Sequence, residues 1–310
     1  MSVLSSGRRS RALPHRRVWR PWLLLAPSIL TLAVLLLYPL GRVVYLSFQD
    51  YGLRELNLGL SNPVGLDNYR AIFEDPLFRT AITNTVVFAF VCVVLTVVLG
   101  TLVALLLVRL GTKLRALVTT AIMVAWAMPA VTGTYVWVFI FDTPSGVVMR
   151  GLNQLGMVDP DTTNWFIDRL SFYSIATINV VHHGFPFVAV TVLAGLLTLP
   201  GEMIESARID GANAWQRFWN VTFPTLRPVF AVVTILSTIW DFKVFTQVFL
   251  MPGGDGTNRD VLNLGTWSYV TGISQKEYGL GSAIAVVLTL LLLLITIVYL
   301  RSMFKEDELR

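Results

Sequence analysis

Two groups of polar residues lie inside apolar runs, where each costs free energy unless it has work to do. The first is Asn179, His182 and His183, directly before Gly184-Phe185-Pro186-Phe187; the second is Trp240, Asp241, Lys243, Thr246 and Gln247. Charges and imidazoles at hydrocarbon depth cost several kcal/mol, so they face a water-filled path or pair with one another. Asp241 and Lys243 are two residues apart. On a helix they point in different directions and do not pair, so each has another partner or the backbone there is unwound. Tryptophan faces stack on the C–H face of a sugar ring, while His, Asn, Gln and carboxylate groups bond its hydroxyls. This mixture suits an uncharged sugar better than an ion or amino acid, which needs a charge clamp. Plainer roles stand beside it: Trp240 as a packing aromatic, and Asp241 and Lys243 in bonds between helices. Metal ligation by His182 and His183 is disfavoured, because adjacent histidines diverge on a helix and no carboxylate lies at ligand spacing.

A third polar stretch, residues 205–212, is amphipathic, helix-prone and charged, with long apolar sequence on both sides. A charged helix held at a membrane surface is placed to touch a soluble partner rather than lipid. Its spacing is specific: Glu205, Ala207 and Gly211, then nine residues, then Val221, a spacer, Phe223 and Pro224. That pattern resembles the loop by which membrane subunits of ATP-binding-cassette importers dock on their ATPase. No phosphate-cradling Gly-rich loop ending in Lys and Ser/Thr is present, so ATP and Mg would be handled by a partner and not by a cofactor site on this chain. Gly253-Gly254-Asp255-Gly256 lacks the following Lys and reads as a turn outside the membrane.

The elements that hold these residues are transmembrane helices. Hydrophobic residues make up 55% of the chain and charged residues 14%, and apolar runs recur that are long enough to cross a bilayer about 30 Å thick. Six spans are expected, near 22–46, 82–108, 116–141, 172–199, 229–251 and 279–300. The result is one all-α integral membrane domain over 22–301, with a basic tail at 1–21, a loop at 200–228 and a short tail at 302–310. With the N-terminus inside, cytoplasmic segments carry 15 Lys/Arg and the outer segments 7, a positive-inside asymmetry that also puts both termini and the 205–224 loop in the cytoplasm. The arginines at 8–20 abut the first span, as topology anchors that meet lipid headgroups do, which argues against a nucleic-acid arm. That span is too long for a signal peptide, and Tyr38-Pro39-Leu40 is no cleavage site. Cys92, the single thiol, is expected to be a buried packing residue. Asp75 is a candidate helix N-cap with Pro76 at the first helical position. The pieces around 65–78 would lie on the outer membrane surface or contact an extracytoplasmic protein. Pro129 and Pro186 would bend the third and fourth spans around a central path.

Nearly the whole chain after the N-terminal tail is similar to the maltose and glycerol-phosphate permease family of bacterial carbohydrate importers. The similarity runs through Gly65-Leu66-Asp67-Asn68-Tyr69, the 205–224 motif and Gly253-Gly254. It implies the type I importer transmembrane fold in the bacterial inner membrane. The partners it implies are a second permease of similar fold, two copies of a cytoplasmic ATPase and an extracytoplasmic sugar-binding protein or lipoprotein. By position it places Glu205, Ala207, Asp210, Gly211 and Pro224 in ATPase coupling, and His183, Gly184, Phe187, Ile239 and Trp240 on the sugar path beside Asp241 and Lys243. Ser206, Val221 and Phe223 depart mildly from the motif, and Asp255 stands where the family has Pro, which leaves that loop's conformation open. Trp240-Asp241-Phe242 is more similar to permeases for disaccharides such as chitobiose or cellobiose. The rivals are an ion-coupled secondary transporter with Asp241 and His183 as relay, and a non-transporting membrane anchor; neither needs an ATPase-docking helix.

Overall fold

Apolar sequence with capping residues at its margins produces helices, long and short, and almost nothing else among the described residues. The computed structural model describes residues 19–307, so most of the basic tail lies outside them. Helix α1 (Trp19–Leu32) passes through a π-helical stretch, Ala33–Leu37, into α2 (Tyr38–Leu46). Two short helices follow, α3 (Leu53–Leu58) and α4 (Asp67–Glu74), then the long α5 (Pro76–Leu107). Next come α6 (Thr112–Trp126), α7 (Ala130–Ile140), the short α8 (Val147–Gln154) and α9 (Arg169–Thr198). The loop at 200–228 forms α10 (Gly201–Ile209), α11 (Ala214–Arg217), a π turn and α12 (Phe223–Thr225). The chain ends with α13 (Arg227–Phe242), α14 (Thr246–Phe249), α15 (Leu264–Tyr269) and α16 (Tyr278–Asp307). Among the described residues the extended structure is one bridge between Gln49 and Pro63.

Helices α5 and α9 form the central pair. They approach closely because small residues meet side chains across the contact: a Cβ on Gly100 would sit 2.6 Å from Val188, and one on Gly184 would sit 3.0 Å from Thr96. Small residues at such crossings let helix backbones close without a hydrophobic drive between them. Caps start both helices. Asp75 accepts a hydrogen bond from the Leu77 N–H at 2.8 Å, and Asp168 accepts from the Leu170 and Ser171 N–H groups. Cys92 is fully buried among Phe88, Phe172 and Ala176, a packing position.

Among the described residues five helices are long and apolar enough to cross a membrane, and the third expected span, 116–141, is a broken one. In place of a bend at Pro129, α6 and α7 meet at 92°. Helix α6 ends at Trp126, and Pro129, which has no N–H and takes extended backbone (ψ 136°), caps α7. The fifth span is interrupted as well: α13 stops at Phe242 and α14 starts at Thr246. Of the two explanations for the Asp241/Lys243 spacing, unwound backbone is the one observed. Helix α16 runs past its apolar span into the tail at 302–310, as far as Asp307.

Helix α4 packs one face into the bundle. Ile72 is buried with Trp267 and Ile284, and the Asn68 amide donates to the Ser47 and Gln49 carbonyls at 3.0 and 2.8 Å. The Gly253–Gly256 turn is built on its glycines, with Asp255 among them. Gly253 and Gly256 hold positive φ (92° and 104°), and a Cβ on Gly254 would collide with the Val248 carbonyl. Asp255 accepts from the Thr257 N–H and hydroxyl, bonds that hold its carboxyl below its ordinary range.

Candidate functional site

The break in the fifth span opens a cavity of about 320 Å³ against α6 and α9. Helix α9 presents His183 and Gly184 to it, and the end of α13 presents Trp240 and Asp241. The unwound segment and α14 add Lys243, Val244, Phe245, Thr246 and Gln247. The second polar group of the sequence thus gathers in one place, together with one residue of the first. Asp241 is buried, and its Oδ2 accepts no hydrogen bond from any described residue. A carboxylate in that position demands a donor, and hydroxyl-rich molecules and water supply one.

The other residues of the first group turn elsewhere. His182 points away from the cavity and meets the Trp137 ring at 5.6 Å, the divergence expected of neighbours on a helix. Asn179 is buried, and its amide donates to the Thr134 hydroxyl at 3.2 Å, so it ties α9 to α7. Phe187 does not line the cavity but packs edge-on against Trp240 at 5.0 Å. Ile239 is half-buried and also does not line it; on the helix it projects about 100° away from Trp240. Gly184 both lines the cavity and receives Thr96 from α5.

Two aromatic residues escape sequence reasoning. Trp126, at the broken end of α6, lines the cavity and stacks near Phe187 with ring planes 26° apart. Phe245, in the unwound segment, stacks on Phe249 at 4.9 Å and meets Tyr269. The one signal for Trp126 is its place three residues before Pro129.

At the opposite extreme of burial lies α10. It ends in a Schellman motif: the Gly211 N–H donates to the Arg208 carbonyl and the Ala212 N–H to the Ala207 carbonyl, both at 3.0 Å. Gly211 holds φ +80° with open space where a Cβ would stand, so its glycine serves the turn. Asn213 and Gln216 form a reciprocal capping box that starts α11. Beyond it Phe218, Trp219, Phe223 and Phe230 pack as one aromatic cluster that fixes the loop to α13. Glu205, Asp210, Gly211 and Pro224 are exposed and Ala207 is half-buried. Ile209 is 82% exposed beside them, an apolar side chain on a charged helix.

Residues 96–304 match the family of binding-protein-dependent transport system inner membrane components, a range that contains both the cavity and α10. The chain is 36% identical over 304 residues to the diacetylchitobiose uptake system permease protein DasB of Streptomyces coelicolor, covering 98% of this chain and 92% of that one. It is 32% identical to the sulfoquinovosyl glycerol transport system permease protein SmoG of Agrobacterium fabrum, covering 92% and 90%. It is 31% identical to the trehalose/maltose transport system permease protein MalF of Thermococcus litoralis, covering 95% and 97%. Its fold matches a chain in the crystal structure of a bacterial transporter that imports the acidic polysaccharide alginate, with a TM-score of 0.77 at 21% identity, covering 93% and 98%.

Proposed function

Because this chain belongs to the family of binding-protein-dependent transport system inner membrane components, multi-pass permeases that are not themselves enzymes, we propose that it forms half of the path of an ATP-driven importer for a di- or oligosaccharide. The carrying observation is the cavity at the break in the fifth span, where Trp126, Trp240 and His183 surround the unpartnered Asp241 carboxylate. Aromatic faces and a buried acceptor are what a sugar ring requires. The diacetylchitobiose and trehalose/maltose permeases among its relatives favour a disaccharide as cargo. At about 320 Å³ the cavity lies at the small end of ligand sites, in keeping with a second permease that supplies the facing wall.

In this reading α10 lies in the cytoplasm and couples the path to an ATPase dimer through Glu205, Ala207, Asp210 and Gly211, with Pro224 behind them. ATP and Mg are bound there and not on this chain. An extracytoplasmic sugar-binding protein delivers the cargo, and both termini are cytoplasmic. The test is uptake of labelled disaccharide into vesicles holding the assembled complex. Uptake should survive collapse of the proton gradient while ATP is maintained, and stop when the ATPase partner is inactivated. The reverse result would establish ion coupling through Asp241 and His183 instead.

A further inference from the structure

A second cavity, of about 830 Å³, shares no lining residue with the one at the broken fifth span. It runs from the end of α5 to α10, α11 and Phe230 of α13. Its walls are apolar, and the charged residues among them are three arginines, Arg109, Arg208 and Arg217, with no acidic residue. The guanidinium groups of Arg109 and Arg208 make no ion pair or hydrogen bond with any described residue. The Arg217 guanidinium donates one bond to the Ala212 carbonyl and keeps further donors. Trp215, 70% exposed, and Trp219 stand in edge contact at the rim. Tryptophans in such positions mark the headgroup level of a bilayer.

We propose that this groove binds an anionic phospholipid of the membrane, its acyl chain along Leu102 and Phe230 and its phosphate between Arg109, Arg208 and Arg217. Charge complementarity selects this occupant. A helix from another subunit fills an apolar groove but leaves three guanidinium groups unanswered, and a soluble phosphate gains nothing from the apolar wall. Guanidinium forks match phosphate oxygens in pairs, and basic pockets between helices at a membrane surface are the usual seats of anionic headgroups. Helix α10 is divided accordingly: Gly201, Ile204 and Arg208 line the groove, while Glu205 and Ile209 do not. The lipid would brace one face of α10 and leave the other for a protein partner.

The test is native mass spectrometry of the assembled complex with phosphatidylglycerol and, separately, phosphatidylcholine of the same acyl chains. The variants are Arg109→Gln with Arg208→Gln, and Arg109→Lys with Arg208→Lys. Since neither arginine has a described partner, both variants should assemble as wild type, which size-exclusion chromatography checks. Phosphatidylglycerol retention should fall roughly 25-fold in the Gln pair, at about fivefold for each basic side chain, and largely persist in the Lys pair. Phosphatidylcholine retention should be weak and equal in all three. Millimolar glycerol phosphate should not displace the lipid. Unchanged phosphatidylglycerol binding in the Gln pair, equal retention of the two lipids by wild type, displacement by glycerol phosphate, or a neighbouring subunit's helix in the groove by electron cryomicroscopy would each overturn the proposal.

Discussion

The cavity at the broken fifth span and the exposed loop at α10 solve opposite problems with the same kinds of residue. In the cavity, polar groups are drawn inward and the fold converges on them: α6, α9, α13 and α14 all contribute. On α10, polar groups are pushed outward, and among the described residues none holds Glu205 or Asp210 by a side-chain bond. The internal structure of the loop is nonetheless well determined, by the Schellman motif, the capping box and the aromatic cluster. A site that the chain gathers from several helices differs from one that it only presents on its surface. Substitutions in the cavity should therefore change both the protein and its cargo, whereas substitutions on α10 should change only what happens with a partner.

The sharpest break in this comparison comes from Gly211→Arg. In the isolated chain a side chain there meets open space, so the change costs only the left-handed backbone, about 1 kcal/mol or slightly more. The protein should insert and fold, yet lose uptake and substrate-stimulated ATP hydrolysis. Gly211→Asn, which tolerates positive φ, should keep most activity. Wild-type stimulated hydrolysis in the Arg variant would remove α10 from coupling altogether.

Gly184→Ala tests whether a cavity residue is also a packing residue. The new methyl group would press on Thr96 Cγ2 at 3.0 Å, and overpacking of a close crossing typically costs about 1–3 kcal/mol. Thermal stability in detergent should drop, and Thr96→Ser in the same protein should restore it by removing the opposing methyl. A stable single variant with weakened sugar binding would instead make Gly184 a pure path residue.

Trp240→Ala removes a ring that lines the cavity and rests on Phe187. Loss of sugar stacking on the order of 1–2 kcal/mol corresponds to roughly a five- to thirtyfold weaker transmembrane site. Uptake should fall, while sugar affinity of the isolated binding protein and basal ATP hydrolysis stay normal. Uptake at the wild-type rate by this variant and by His183→Ala, singly and together, would reduce both residues to helix packing.

These residues are legible in the sequence to different degrees. Asp241, Lys243 and His183 announce themselves, because a charge or imidazole in an apolar run needs a reason. Trp126 and Phe245 give no such contrast: an aromatic in apolar sequence looks like any other, and only the breaks at Pro129 and at 243–245 turn them toward the site. Proline at 129 signals a disturbance, but whether α6 and α7 meet at a shallow bend or at 92° depends on what packs around them. The Ala207–Gly211 spacing is legible as a motif, and the structure gives a local cause for its glycine: Gly211 holds positive φ in the Schellman turn that ends α10. The arginines of the second cavity read singly as topology anchors or surface charges, since nothing in the sequence brings Arg109 beside Arg208 and Arg217.

The smallest effect is expected at Asn179, and it refines the border of the cavity. The sequence groups Asn179 with His183, four residues on, a spacing that puts both on one helix face. The structure separates them: His183 lines the cavity, whereas Asn179 is buried and donates to the Thr134 hydroxyl. That hydroxyl also donates to the Ala130 carbonyl at 2.8 Å, so removing the amide does not orphan it. Side-chain hydrogen bonds between transmembrane helices average about 0.6 kcal/mol. Asn179→Ala should therefore lower thermal stability slightly, through the lost α7–α9 bond and a small void, and leave the concentration dependence of uptake unchanged. Asn179→Leu, which fills the space without the bond, should recover part of the loss. If Asn179→Ala instead weakens the apparent affinity for sugar as strongly as His183→Ala, then α7 is part of the path, and the cavity extends one helix further than its present walls.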